Sequence, residues 1–187
     1  MICPWYANGS LTSFLSRYKS LVYKERLRLI REIASGLYYL HYNSIIHGDL
    51  SGANVLINDD QQALLYDFGT SKLVRDLGLT ATLTSIAYSP RWAAPEIFES
   101  DSFSNITLFG DIYSFGSVAF QVFSGKIPYA YIELERNVLL HRIRERKPPR
   151  KTSNIKAEHW EALLKCWEHN PHARPSGESL MKFFVED

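Results

Sequence analysis

From Lys24 to Tyr42 the apolar residues Leu27, Ile30, Ile33, Leu37 and Leu40 recur at steps of three and four. That spacing aligns one face of an amphipathic helix, which Asn43 ends. Two short β-like runs follow, "NVLIN" (54–58) and "ALLYDF" (63–68). The spacer "DDQQ" between them suits a tight turn. Residues 70–92 are rich in Thr and Ser without a sustained period and read as a long functional loop. Beyond it the pattern predicts a buried helix near 108–124, ended by Ser124-Gly125, and a second over 131–146 that stops before Pro148-Pro149. Two more are predicted near 157–168 and 176–185, the last beginning at Ser176. The class is therefore mainly α (α+β), with a small hairpin among helices.

At 187 residues the chain has room for a single domain with a proper core. Its formal net charge of +1 selects neither a nucleic-acid nor a membrane partner, and neither is expected. The basic stretch "HRIRERKPPRK" (141–151) is interrupted by Glu145 and reads as a solvated helix end. The most apolar stretch, "ITLFGDIYSFGSVAFQVF", carries Asp111 and several serines, which fits a buried helix better than a membrane span. Two cysteines, Cys3 and Cys166, make neither a disulfide framework nor a zinc site. With no leader-like start, a reducing, cytoplasmic setting is expected.

The candidate chemistry lies around the hairpin. Asp49 and Asn54 stand five positions apart in "SIIHGDLSGANVLI" (44–57), and Asp67 follows the second β-like run. Folding the hairpin back brings the last carboxylate beside the first two groups. Asp49 can accept or aim a hydroxyl proton, while Asn54 and Asp67 offer hard oxygen donors suited to Mg²⁺. Phosphoryl transfer asks for little more than such positioning and charge stabilisation. His47 reads as a packed structural histidine, since the neighbouring Asp fills the chemical role.

"HGDLSGAN", "DFG", "APE" (94–96) and "DIYSFG" occur in that order. Together they resemble the catalytic loop, metal-binding motif, activation-segment end and central helix of a protein kinase. "RWAAPE" and "CWEHNPHARPS" place the resemblance nearest the tyrosine-kinase and tyrosine-kinase-like branches. It implies the large lobe of a kinase domain over residues 1–187, using ATP and Mg²⁺ on a protein substrate. Position by position, Asp49 resembles the catalytic Asp, and Asn54 and Asp67 the metal ligands. Ser89 resembles the hydroxyl residue that helps hold the catalytic loop. Leu56 matches the floor under adenine. "CPWYANGSL" looks like the hinge, with Cys3 as gatekeeper and the backbone of Pro4 and Tyr6 facing the adenine edge. Phe68 and Gly69 would serve as anchor and hinge. Asp111 would fix the catalytic-loop backbone, and Glu96 with Arg174 would tie the activation segment to the last helices.

Three departures qualify the expectation. The family places a Lys two residues after the catalytic Asp or an Arg four after it, and here stand Ser51 and Ala53. One charge lost near 4 Å is nominally ~4 kcal/mol at an effective dielectric of 20. Ser51 is expected to compensate by hydrogen-bonding the phosphate or Asp49. Gly48 replaces the Arg that receives a phosphorylated activation loop, so phosphorylation of Thr80, Thr82, Thr84 or Ser85 is not expected to switch activity on. Finally, no glycine-rich loop, strand Lys or helix Glu precedes the hinge-like stretch, so the small lobe is expected upstream or lost. The function expected is phosphoryl transfer to a protein Ser or Thr, weak in this chain alone. The competing expectation is a degenerate pseudokinase lobe that scaffolds partner proteins in signalling.

Overall fold

A computed structural model describes residues 5–67, 72–73, 89–98 and 106–185. Helix α1 (Leu11–Arg17) comes first. Two turns are too short for periodicity to announce, and it forms because Leu11, Phe14 and Leu15 bury one face while Ser13 N–H donates to Ser10 Oγ at 3.3 Å. α2 (Tyr23–Tyr42) matches the predicted helix. Its first turn is closed by the Glu25 carboxylate, which accepts from Val22 N–H at 2.8 Å.

After α2 come β1 (Ile45–Ile46), β2 (Val55–Ile57), β3 (Ala63–Leu65) and β4 (Lys72–Leu73). β2 and β3 form the predicted antiparallel hairpin, with Val55 opposite Leu65, Leu56 opposite Leu64 and Ile57 opposite Ala63. Val55 and Ile57 point into the core and Leu56 points away from it, as a period of two requires. β1 pairs with β4, Ile45 opposite Leu73, inside the stretch read as loop. Four residues in two strands leave too little alternation to detect.

The remaining helices are α3 (Leu108–Ser124), α4 (Glu135–Glu145), α5 (Ala157–Cys166) and α6 (Gly177–Val185). α3 is the axis of the molecule, buried at every position from Gly110 to Ser124. Leu29, Ile30, Ile33 and Leu37 of α2 share one core with Phe115, Val118 and Val122 of α3, Leu163 of α5 and Phe184 of α6. Each such side chain contributes roughly 1.5–3 kcal/mol of burial. α3 and α5 cross at Gly116, where a methyl group would stand 2.7 Å from Cys166 Cβ. Only glycine allows that approach. Among the described residues no helix is long and apolar enough to cross a membrane.

α4 begins four residues later than the pattern suggests, for a reason the structure supplies. The buried Arg91 guanidinium donates to the carbonyls of Pro128, Tyr129, Ile132 and Glu133, at 2.8 to 3.2 Å. These bonds hold the preceding segment in an irregular turn, in which the Tyr129 carbonyl also accepts Ile132 N–H at 2.8 Å. The reading of 141–151 as wholly solvated is also corrected. Arg142 is 2% exposed and donates to the carbonyls of Pro90 and Ala93, whereas Arg144, Arg146 and Lys147 are exposed.

Arg174 and Glu96 form the expected pair. The guanidinium makes two parallel bonds to the Glu96 carboxylate, at 2.6 and 2.9 Å, and also donates to the carbonyls of Phe109 and Glu168. Substituting Arg174→Met removes the bidentate partner of the Glu96 carboxylate, and urea unfolding is expected to show a loss of about 3–5 kcal/mol. A loss below about 1 kcal/mol would mark the pair as ornamental.

Candidate functional site

A single carboxylate organises the loop between β1 and β2. Asp111, 2% exposed at the start of α3, accepts His47 N–H through Oδ2 at 2.8 Å and Gly48 N–H through Oδ1 at 2.9 Å. His41 Nε2, from the last turn of α2, lies 3.0 Å from the same Oδ2. Three separate segments are thereby fixed around one side chain, the anchoring role expected of Asp111. His41 carried no signal in the sequence, because a histidine near a helix end reads as solvated. His47 is fully buried, as a packed histidine should be.

The same loop presents Asp49. Asn54 Nδ2 donates to the Asp49 carboxylate at 3.0 Å and to its backbone carbonyl at 2.8 Å. Both donor hydrogens of the amide therefore point at Asp49, which settles the amide's orientation and turns Oδ1 the other way. Ser89 N–H lies 3.4 Å from Asp49 Oδ1, so these two residues meet in the structure. Burial pushes the Asp49 carboxyl above its ordinary value, and hydrogen bonds from Ser89 and Asn54 offset part of that rise.

Tyr66 N–H donates to the Asn54 carbonyl at 2.9 Å, which ties the end of the hairpin to the loop. Asp67, the next residue, is exposed and has a left-handed backbone, φ +59°. A non-glycine residue held there stores strain of about 1–3 kcal/mol, a recurrent feature of functional positions. Leu56 sits on the outward face of the hairpin opposite Leu64, and its backbone bridges to Ser10. The Tyr6 carbonyl accepts from Gly9 N–H at 3.0 Å in the turn before α1. Cys3, Pro4, Phe68, Gly69, Thr80, Thr82, Thr84 and Ser85 lie outside the described residues.

Ser51 departs from expectation. It is fully buried, and among the described residues its Oγ has no hydrogen-bond partner. It faces inward like a small apolar residue, so the expected bond to Asp49 is not made, and nothing in this arrangement exposes it to a phosphate. Beside it, the Gly52 carbonyl accepts Thr12 N–H at 3.0 Å. Gln121 of α3 donates to Thr12 Oγ1 at 3.0 Å and accepts from Trp92 Nε1 at 3.1 Å. A methyl group on Gly52 would lie 2.3 Å from Gln121 Oε1. This polar bracket joins α1, the loop, α3 and the segment after Ser89, and it left no trace in the sequence pattern.

The model of the protein tyrosine and serine/threonine kinase family matches residues 1–184. The chain belongs to that family. It is 31% identical to mitogen-activated protein kinase kinase kinase 2 of Arabidopsis thaliana over 97% of its length, covering 28% of that protein. It is 27% identical to serine/threonine-protein kinase STY17 of Arabidopsis thaliana, over 97% of its own length and 31% of that protein. Against the RGS domain-containing serine/threonine-protein kinase A of Dictyostelium discoideum the identity is 32%, over 90% of the chain and 14% of the relative. The kinase chain thus spans less than a third of each of these relatives.

The half-buried Asp49 carboxyl gives this kinase chain a testable pH signature. Below the ordinary carboxyl value of 3.8 Asp49 is protonated both folded and unfolded. As pH rises the unfolded chain ionises first, so stability falls until the folded carboxyl also ionises. Asp49→Asn removes that loss. Urea unfolding between about pH 3 and pH 7 should show the variant gaining on the parent as pH rises, with the gain absent at the acidic end. A gap independent of pH would contradict the raised value.

Proposed function

We propose that the chain forms the large lobe of a protein kinase of the tyrosine-kinase-like branch. In the complete protein it would pass the terminal phosphoryl group of ATP to a Ser or Thr hydroxyl of a protein substrate. The observation that carries this reading is the clamp between Asn54 and Asp49. With both amide hydrogens spent on Asp49, the uncommitted atom of Asn54 is an oxygen, and among the described residues it accepts no hydrogen bond. An amide oxygen and the exposed Asp67 carboxylate form a hard donor set that fits Mg²⁺. Bound there with the nucleotide, the metal would neutralise charge on the phosphates.

Asp49 holds the incoming hydroxyl and takes its proton. Its raised carboxyl pKa makes it a better acceptor than an ordinary aspartate, provided it is ionised at working pH. Ser89 and Asn54 hold it from two sides, so its orientation is set before substrate arrives. Leu56 would lie under the adenine, with Cys3, Pro4 and Tyr6 along its edge. Serine/threonine specificity is supported by the names of the relatives. The cytoplasm is the compartment that fits an ATP-dependent reaction and a free thiol.

A second reading has its own observation. Ser51 is buried and Ala53 has no charge, so neither supplies the cation that the family places beside the transferring phosphate. On that reading the lobe scaffolds protein partners and transfers nothing.

With Mg-ATP and a generic protein substrate, the full protein should transfer phosphate, and Asp49→Asn should lower turnover by about 10²–10³. Asp67→Asn should raise the Mg²⁺ concentration needed for half-maximal rate. Transfer unaffected by Asp49→Asn would remove the mechanism. An absence of thermal stabilisation at millimolar Mg-ATP would favour the scaffold.

A further inference from the structure

His41 stands between the core and a cleft. Its side chain is 9% exposed, and Nε2 lies 3.0 Å from Asp111 Oδ2. A carboxylate only accepts, so Nε2 carries the hydrogen of that bond. In the neutral ring Nδ1 is then left with a lone pair. Among the described residues no donor meets that lone pair. Unlike Ser51 Oγ, Nδ1 is not sealed in the core without a partner. It is approached past Gly177, where a methyl group would stand 3.1 Å from Nδ1 and 3.5 Å from Tyr38 Cα.

The cleft that His41 and Gly177 line measures about 600 Å³. Sites for small organic molecules run from roughly 300 to 1,000 Å³. Tyr38 and Tyr42 of α2 form one wall, their rings 6.0 Å apart, and Phe109 and Ile112 of α3 form another. Among the described residues no Lys or Arg lines it, which disfavours an anion. The polar side chains at its rim are already engaged within α6. The exposed Glu178 carboxylate lies 2.8 Å from Lys182 Nζ, and Ser176 Oγ accepts Ser179 N–H at 3.1 Å. A largely aromatic wall with one inward acceptor suits a neutral ring that carries a single donor.

We propose that this cleft binds a small neutral aromatic alcohol. Its ring lies against Tyr38, Tyr42 and Phe109, and its hydroxyl donates to His41 Nδ1. That bond lengthens an existing chain, in which His41 donates to Asp111 and Asp111 accepts the N–H groups of His47 and Gly48. A donor on Nδ1 holds the imidazole in the tautomer that turns Nε2–H toward Asp111. The occupied cleft thereby stiffens the loop that presents Asp49. The site is independent of phosphoryl transfer, since a scaffold lobe would keep it.

β-Naphthol, titrated against the full chain with isotope-labelled histidine nitrogens, tests it. The expected result is a saturable shift of the His41 Nδ1 resonance, with amide exchange at His47 and Gly48 slowing as the cleft fills. The methyl ether of β-naphthol keeps the rings but cannot donate, and should bind about tenfold more weakly. Tyr42→Ala, at an exposed position on the wall, should raise the Kd for β-naphthol at least fivefold. Tyr39→Ala, equally exposed but outside the cleft, should keep the parent value. Gly177→Ala sets a methyl group before Nδ1 at a helical position without positive φ, and should raise the Kd at least tenfold. An ether that binds as tightly as the alcohol, or a loss in Tyr39→Ala equal to that in Tyr42→Ala, overturns the site. β-Naphthol that binds without slowing exchange at His47 and Gly48 overturns its link to the loop.

Discussion

The carboxylate of Asp111 is the constraint on which the geometry around Asp49 depends. A loop carrying catalytic groups cannot be stiff by itself, because a few residues outside regular structure pay for order with conformational entropy. Here the backbone N–H groups of His47 and Gly48 are both committed to one carboxylate at the start of a helix that is buried along nearly its whole length. The loop inherits the rigidity of α3. Asp49, the next residue, is thus positioned by the core before any ligand is present, and Asn54 completes the turn by closing back on it.

Arginine does for the segment after Ser89 what Asp111 does for the loop. Arg91 and Arg142 between them hold six carbonyls, and Arg174 holds the Glu96 carboxylate. A planar, always-charged donor fork suits irregular backbone, which exposes carbonyls that no ladder satisfies. The two systems meet where Ser89 touches Asp49. Asp49 therefore sits between two clamps of opposite sign, an acid below and bases to the side.

Much of this fold was legible in the sequence. α2 shows a clear three-and-four spacing, α3 an apolar run ended by Ser124-Gly125, and the hairpin two β-like runs around a polar spacer. The positions of Asp49, Asn54 and Ser89, and the Glu96–Arg174 pair, followed from ordered motifs. What stayed hidden shares a physical character. α1 is two turns long, β1 and β4 are two residues each, and α4 starts late because Arg91 pins an irregular turn before it. Arg142 sat in a run of charges, and nothing local tells a buried arginine from a solvated one. Ser51 was misjudged because a hydroxyl suggests a hydrogen bond, while the fold uses the side chain only for its small size.

The contact between Gly52 and Gln121 bears on how such a loop can change over generations. With 2.3 Å between a prospective methyl and the Gln121 oxygen, position 52 cannot acquire any side chain while Gln121 keeps its bonds to Thr12 and Trp92. Thr12 Oγ1 lies 2.6 Å from the same methyl, so both Gln121 and Thr12 would have to move and Trp92 would lose its acceptor. What position 52 can carry is thus coupled through space to a residue nearly seventy places away in the chain.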